Sequence, residues 1–350
     1  MKNILGIKST CVFLTFGFGL AIISIIATAQ YASKSNHIRV VFYNVENLFD
    51  TVNDSLKLDD DFTPSGANRW TEYKLNEKLQ RIAKVLIAIG EWQLPAIVGL
   101  CEVENAFVLE SLIKNTALKH GNYGILHFES PDVRGIDVAL LYNQDIVSLL
   151  TTKAFQPDVS SFSSRPTRDI LYAKVLINNK DTLNLFINHW PSRYGGQLAS
   201  ENGRIIAATL LKNLADSLLH LNKDSNIMIM GDFNDEPADR SLKETLAACD
   251  LDAYQPACNL LNLMPLHSHA QHGTLHYTGT VPRWYTFDQI IVSRALLNGD
   301  FIIKDRKANI FKPDWLLDKN KEKPFRTFQG PAYIGGFSDH LPVYTDIEIR

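Results

Sequence analysis

The chain has no second long apolar run after the one near its start, no Pro/Gly/Ser-rich linker, no internal repeat and only four cysteines in 350 residues. Each absence excludes something. Without a second apolar run there is no case for a multi-span membrane protein. Without linkers or repeats the chain does not divide visibly into beads or arrays, and large α/β sandwiches run to this length as one unit. Basic charge is not in surplus either: 35 Lys and Arg stand against 38 Asp and Glu, a formal charge of −3. That argues against a wholly basic nucleic-acid clamp. No Cys/His spacing of the zinc-binding kind occurs, so a structural zinc site is not expected.

The apolar run near the start has a distinctive setting. Lys2 and Lys8 precede residues 11–26, and Ala27-Thr28-Ala29 follows as a small-x-small pattern before Gln30. Charge, core and cleavage pattern together predict a secretory signal peptide over 1–29, leaving 30–350 as a single domain. The run is short for a membrane span, and Cys11 begins the apolar core instead of ending it, which disfavours a lipid anchor. Removing Lys2 and Lys8, the only charged residues of the segment, takes the formal charge from −3 to −5. Cys101, Cys249 and Cys258 then remain. Cys101 lies in the apolar run Ile97-Val98-Gly99-Leu100-Cys101 and reads as a buried thiol. Export permits a disulfide, and Cys249 with Cys258 is the only close pair, although sequence leaves their pairing open.

Short apolar, β-branched runs recur at 38–43, 96–101, 137–142, 171–177, 183–188, 227–230, 287–292 and 343–349, and these are the predicted strands. Helical periodicity occupies 72–89, 106–118, 201–221 and 240–249, with Thr71 as N-cap of the first. Asn178-Asn179-Lys180-Asp181 is of hairpin length, so antiparallel pairing accompanies helical crossovers. The mixture predicts an α/β fold of two mixed, mainly antiparallel sheets with helices outside. Two polar stretches, 50–69 and 300–331, stay unassigned. Asp59-Asp60-Asp61 in the first reads as a solvated loop.

The most informative segment is Asn226-Ile227-Met228-Ile229-Met230-Gly231-Asp232-Phe233-Asn234, a buried strand ending in a carboxylate and a carboxamide two residues apart. In extended chain such residues share a side and would face one reacting group. Other strand ends carry the same residue types: Asn44, Glu102, Asp137, Asn188-His189, Asp288 and Ser338-Asp339-His340. Acids, amides and histidines at the ends of apolar strands gather metal-binding and proton-transfer groups at one edge of a sheet stack.

The ordered set is specific. Tyr43-Asn44-Val45-Glu46-Asn47, Leu100-Cys101-Glu102-Val103-Glu104-Asn105, the run from Arg134-Gly135-Ile136-Asp137 to Tyr142, Asn188-His189-Trp190, Gly231-Asp232-Phe233-Asn234, Phe287-Asp288-Gln289-Ile290 and Ser338-Asp339-His340-Leu341-Pro342-Val343 span nearly all of 30–350. Their order and spacing resemble the endonuclease/exonuclease/phosphatase superfamily with its deoxyribonuclease I-like fold. That resemblance implies a four-layer α/β sandwich, two sheets face to face between outer helices, and a metal-dependent phosphoester hydrolase.

It also implies roles. Glu102 would be the principal ligand of Mg²⁺, with Mn²⁺ or Ca²⁺ as alternatives, since a hard carboxylate oxygen suits such ions. Asn44 and Asp339 would join that metal site. Asp232 would orient and deprotonate the attacking water, and Asn234 would hydrogen-bond the developing oxyanion. His340 would bind the scissile phosphate or transfer a proton, with Asp288 fixing its tautomer. His189 would protonate the leaving oxygen, with Asp137 as its orienting partner. Arg134, Asp137, Asn188, Arg193 and Tyr194 are the candidate substrate-binding residues.

Substrate choice lies in loops. Arg193-Tyr194 and Arg283-Trp284 combine arginine with aromatics near the predicted polar edge, as a groove for phosphates and bases would. An exported nuclease acting on nucleic acid is the leading expectation. A phosphatase or phospholipase C-type enzyme on a phosphorylated small molecule or lipid headgroup is the alternative, disfavoured for lipid because no long Phe/Trp-rich insertion is present. Every central position is filled, which disfavours a catalytically inactive binding module.

Overall fold

The computed structural model describes residues 37–251, 258–265, 272–278, 281–330 and 332–350; the expected signal segment at 1–29 lies outside the described residues. The chain runs β1 (His37–Leu48), α1 (Glu72–Gly90), β2 (Ile97–Val103), α2 (Ala106–Lys114), β3 (Tyr123–His127), β4 (Asp137–Asn143), β5 (Val147–Phe155), β6 (Ile170–Ile177) and β7 (Asp181–His189). It continues with α3 (Gln197–Leu221), β8 (Ile227–Asp232), β9 (Ala248–Asp250), β10 (Leu260–Asn262), β11 (Leu275–Tyr277), β12 (Arg283–Tyr285) and β13 (Asp288–Ser293). The last elements are α4 (Ala295–Asn298), β14 (Phe301–Ile303), β15 (Asn309–Ile310), β16 (Phe328–Gln329), β17 (Ala332–Tyr333) and β18 (Val343–Ile349).

Two seven-stranded sheets result. The first has the order β14-β18-β1-β2-β4-β3 with β15 also on β18; the second runs β5-β6-β7-β8-β13-β10-β9. Each has a parallel pair near its middle, β1 with β2 and β7 with β8. α1 and α3 make the long crossovers that parallel neighbours require. Their strand partners β18, β4, β6 and β13 run antiparallel.

Alternation along the strands separates the layers. Val40 and Phe42 of β1, Ile187 of β7 and Met228 and Met230 of β8 lie in the core between the sheets. Val41 and Tyr43 pack instead with Leu75, Leu79, Ile82 and Leu86 of α1, whose apolar residues recur at helical spacing. Ile227 and Ile229 pack with Ala207, Ala208 and Leu211 of α3 on the outer face of the second sheet. The architecture is the four-layer sandwich expected. Gly99 marks the close approach of the sheets: a Cβ there would stand 3.1 Å from Ile187 Cδ1 and 3.2 Å from Met230 Sδ.

Several local expectations need correction. The helix expected over 106–118 ends at Lys114, because Thr116 starts a separate turn, accepting from the Leu118 amide while its hydroxyl donates to the Leu112 carbonyl. Thr71 occupies the N-cap position of α1 without a side-chain capping bond. The expected helix over 240–249 is a single π turn, Ser241–Thr245, after which Ala247 at φ 57° breaks the helical path before β9. Asp59 is buried and accepts from the Asp54 amide, so the triple aspartate is not a fully solvated loop. Cys249 and Cys258 form a disulfide, and Cys101 is buried and free.

The direction of the strands positions the polar edge. β1, β2, β7 and β8 end there, so Asn44, Glu102, His189 and Asp232 come from the carboxyl-terminal halves of parallel strands. Antiparallel neighbours start there, so Asp288 opens β13 directly opposite Asp232, and His340 lies just before β18. Gly231 is required by this arrangement. It pairs with Asn188, and a Cβ at position 231 would stand 2.5 Å from the Asn188 carbonyl oxygen and 2.6 Å from its Cβ. Gly231→Ala is expected to destabilise the protein by about 1–3 kcal/mol through this overpacking, read as a lowered midpoint in urea unfolding; an unchanged midpoint would show that β7 and β8 can spread freely.

Candidate active site

The same period of two that builds the core aims the polar side chains. Asn44, His189 and Asp232 each follow an inward-facing residue by two positions, Phe42, Ile187 and Met230, and so point between the sheets at their edge. Glu102 would point outward by that rule, but a bulge intervenes. The register of β2 shifts between Cys101 and Val103, and Glu102 adopts φ 61°. A non-glycine residue in this region is strained, and a bulge of this kind re-aims a side chain. Glu46 and Asn47 in β1 also have positive φ, at 52° and 54°.

Asn44 joins the parts. Its Nδ2 donates to Asp232 Oδ2 at 3.0 Å and to Glu102 Oε1 at 3.2 Å, while its Oδ1 accepts from the Glu46 amide at 2.9 Å. The Asn47 amide donates to Glu102 Oε2 at 2.9 Å. Asn44 thus supports two carboxylates, and its own oxygen keeps a second lone pair beyond the bond from the Glu46 amide. The Ser338 hydroxyl donates to the Asn44 carbonyl and accepts from the His340 amide, fixing the segment before β18.

Two histidines face Asp232 from opposite sides, with both Nε2 atoms 3.7 Å from its Oδ2. Their electrostatics differ. Burial works against charge on His340, but the Asp288 and Asp232 carboxylates outweigh it and hold the imidazole well above its ordinary range. The contact from His340 Nδ1 to Asp288 Oδ2 is 2.7 Å, as expected for a pair that fixes the tautomer. His189 is pushed well below that range by burial, with Arg168, Arg134 and His340 adding positive charge nearby. Its Nδ1 is buried and has no hydrogen-bond partner. Burial raises Asp232 to about 6, with Asp288 adding to the effect and His340 opposing it.

Hard oxygen donors collect beside this group. Glu102 keeps partial exposure, 17 % of its side chain, and each of its oxygens retains acceptor capacity beyond the bonds above. Asp339 accepts from Arg326 through Oδ2, and its carboxyl is raised by burial, with Glu102 contributing repulsion. Mutually repelling carboxylates with free oxygen lone pairs fit a hard divalent cation. Asp232, Asp288 and His340 also offer ligand atoms within 4.8 Å of one another. In that trio, however, the short His340–Asp288 bond already occupies one atom of each.

Other expected site residues lie elsewhere. Asp137 does not orient His189: it accepts from the Ser130 amide and contacts His127 Nε2 at 3.1 Å. Asn188 faces the α3 side, where its Nδ2 donates to the Phe186 and Met230 carbonyls and its Oδ1 accepts from Trp190 Nε1. Strand alternation puts it on the face opposite to that of His189. Arg193 is held by Asp235 and Asp239 and stacks over Phe287, so its fork serves the fold. Arg283 is similarly paired with Glu236, and Trp284 is buried. Asn234 lies past the end of β8 at φ 51°, so the i, i+2 argument stops at Asp232; its amide donates to the Trp190 carbonyl. Tyr194 is 92 % exposed and, with Arg134, borders a cavity that Arg168 also lines.

Sequence reasoning missed three groups, Arg168, Lys78 and Asp132, and left the role of Glu46 open. Arg168 is buried, donating to the His189 carbonyl at 3.2 Å and to Asp132 at 3.1 Å. Lys78 of α1 reaches the Thr327 hydroxyl and the Phe337 carbonyl, its pKa lowered to about 8 by burial. Glu46 accepts from the Thr327 amide and Arg326, and burial lifts it to about 7 with Asp339 adding to the rise. Asp132 pairs with Arg168 across 36 positions. None of these pairings has a local sequence signal.

Two mixed seven-stranded sheets between helices, with this acid, amide and histidine edge, define a deoxyribonuclease I-like phosphoesterase fold. Residues 39–349 match the model of the Endonuclease/Exonuclease/phosphatase family, and the chain belongs to that family, whose members are metal-dependent phosphoester hydrolases. No curated protein sequence matches the chain. Among solved structures it is similar to an endonuclease/exonuclease/phosphatase family protein from Bacteroides thetaiotaomicron, with a TM-score of 0.54, 17% identity, 89% of this chain and 97% of that one covered. D. rerio TDP2 complexed with a single-strand DNA product gives 0.55 at 16% identity, covering 89% and 98%. A mannosyl-6-phosphatase from Bacteroides thetaiotaomicron gives 0.54 at 16% identity, covering 89% and 99%.

The His340–Asp288 pair has a measurable signature. Because the folded pKa of His340 lies above its unfolded value near 6.5, the pair's stabilisation is complete below that value and is lost as pH rises through the folded pKa. In metal-free protein Asp288→Asn is therefore expected to lower the His340 pKa seen by NMR and to cost stability at acidic and neutral pH, the cost shrinking at higher pH. A His340 titration unmoved by Asp288→Asn would refute the assignment.

Proposed function

We propose that the chain is an exported, metal-dependent phosphodiesterase whose principal substrate is nucleic acid. The observation that carries this reading is the pair of buried histidines with Nε2 atoms 3.7 Å from Asp232, only one of them bonded to a second carboxylate, Asp288, beside the hard oxygens of Glu102 and Asp339. Groups whose environments push their pKa values apart divide acid and base roles between them.

Asp232, raised to about 6, is a base poised near neutral pH and accepts a proton from the attacking water. His340, held as imidazolium by Asp288, presents Nε2–H to a phosphate oxygen or to the leaving oxygen. This is a revised division of labour. The sequence reading gave leaving-group protonation to His189 with help from Asp137, but Asp137 is occupied by His127, and burial with Arg168 keeps His189 neutral. His189 serves as a neutral hydrogen-bond donor to a second phosphate oxygen, and Asn234 retains one amide hydrogen for the same purpose. Glu102 and Asp339 would hold Mg²⁺, or Mn²⁺ or Ca²⁺ in its place, with Asn44 fixing Glu102. Such an ion, when bound, neutralises charge on the phosphoryl oxygens.

The D. rerio TDP2 structure with a single-strand DNA product supports nucleic acid as the substrate class. The mannosyl-6-phosphatase likeness favours a second reading, a phosphorylated sugar. Assays of chelator-treated protein with each ion restored, against duplex DNA, single-stranded RNA, sphingomyelin, inositol phosphates and mannose 6-phosphate, decide between them. Ion-dependent cleavage of DNA or RNA is expected; turnover confined to a sugar phosphate or lipid would reject nucleic acid. Asp232→Asn and His340→Ala are each expected to lower kcat by at least about a hundredfold with cooperative unfolding retained. His189→Ala should cost about as much but leave both limbs of the pH profile in place, whereas loss of the basic limb would return it to the role of general acid.

Export rests on Lys2, Lys8, the apolar run and Ala27-Thr28-Ala29, and the Cys249–Cys258 disulfide supports an oxidising compartment. Mass spectrometry of the protein from its native compartment is expected to find Gln30 as the first residue; an intact Met1 end would contradict cleavage.

A further inference from the structure

Outside the carboxylate cluster lies a cavity of about 480 Å³, within the range of small-molecule sites. Arg168 forms part of its lining and connects it to the polar edge through the His189 and Trp190 carbonyls. Three arginines and one carboxylate line it: Arg134, Arg165, Arg168 and Asp132. Asp132 is bonded to buried Arg168, at 3.1 Å, so one carboxylate is set against three guanidinium groups. Arg134 is 45 % exposed and contacts Asp132 only at 3.4 Å. Arg165 is exposed, and its guanidinium makes no hydrogen bond or ion pair among the described residues. Thr167, which also lines the cavity, has a buried hydroxyl without a hydrogen-bond partner. The remaining wall is apolar, from Phe162 and Pro191 among others.

We propose that this cavity is a subsite for a second phosphate-bearing unit of the substrate, on the His189 side of the scissile phosphate. Arg134 and Arg165 hold the second phosphate, and Phe162 and Pro191 contact the ring that joins it to the reacting diester. Guanidinium forks suit phosphate oxygens, while the apolar wall gives a ring its contact area. The cavity is too large to be filled by inorganic phosphate alone. The substrate is accordingly a nucleotide chain or a terminally phosphorylated dinucleotide in preference to an isolated diester. This inference rests on the phosphodiesterase reading.

The test compares three dinucleotides with the same scissile bond, TpT, pTpT and TpTp, in the presence of Mg²⁺. In the wild type one terminal phosphate is expected to raise kcat/KM about tenfold or more, the worth of one charge-assisted contact. In the Arg134→Ala/Arg165→Ala protein, checked for an unchanged melting temperature, the ratio should fall to near one, and Arg134→Lys/Arg165→Lys should restore part of it. Equal kcat/KM for all three dinucleotides in the wild type, or an undiminished ratio in the double variant, would overturn the subsite. Bis(p-nitrophenyl) phosphate reports hydrolysis separately, and if neither it nor any dinucleotide is cleaved, the phosphodiesterase reading fails. Calorimetry with thymidine 3′,5′-bisphosphate then judges the subsite alone. Binding weakened about tenfold in the double variant supports it, and equal or absent binding in both proteins rejects it.

Discussion

One side-chain amide spans the two sheets at their polar edge. Asn44, on β1 of the first sheet, donates to Asp232 on β8 of the second and to Glu102 on β2, and it is fully buried. Buried amides are costly unless satisfied, and here the amide, its oxygen and its backbone carbonyl all have partners. Two carboxylates that would repel each other are thereby held on one donor, and the edges of the sheets are set against each other. The positions of His189, Asp288 and His340 follow from that alignment, because their strands are hydrogen-bonded to β8 or to β1.

The two histidines show how little geometry is needed to separate charge states. Both are buried, which lowers each, and both stand at equal distance from Asp232. His340 has a second carboxylate at hydrogen-bonding distance and stays charged; His189 has Arg168 behind its carbonyl and stays neutral. Similar distance from one carboxylate therefore goes with opposite pKa shifts of the two imidazoles, with the second neighbour deciding the direction.

The long connections are as ordered as the strands they join. Residues 50–69 bury Asp59, and they are bracketed by a hydrogen bond from the Trp70 indole just after them to the Phe49 carbonyl just before them. The stretch from 300 onward supplies β14, β15 and β16 and brings Arg326 and Thr327 onto Glu46. Polar composition gave no assignment because only a few of these polar groups, Asp59, Arg326 and Thr327 among them, are tied into the fold, and their partners lie elsewhere in the chain or in the backbone. The later stretch also places Arg326 against Asp339 and Glu46, and the Thr327 hydroxyl within reach of buried Lys78 of α1.

Alternation and polar strand ends in the sequence, read with the family resemblance, anticipated the two sheets with helices outside and put Asn44, His189, Asp232, Asp288 and His340 at one edge, because a period of two and a strand end are local properties. The helix boundaries near 116 and 247 were less legible, since a single threonine bond or a single positive φ ends a periodic run. What only the tertiary structure decided are the pairings: Asp137 with His127 and not His189, Arg193 with Asp235 and Asp239 and not a phosphate, Arg168 with Asp132, and Asn188 facing outward. The physical reason is that a charged side chain's role is set by the nearest opposite charge, and that neighbour comes from a distant part of the chain. The bulge at Glu102 belongs with these, because its positive φ is sustained by a hydrogen bond to Asn47 that exists only once β1 and β2 are paired.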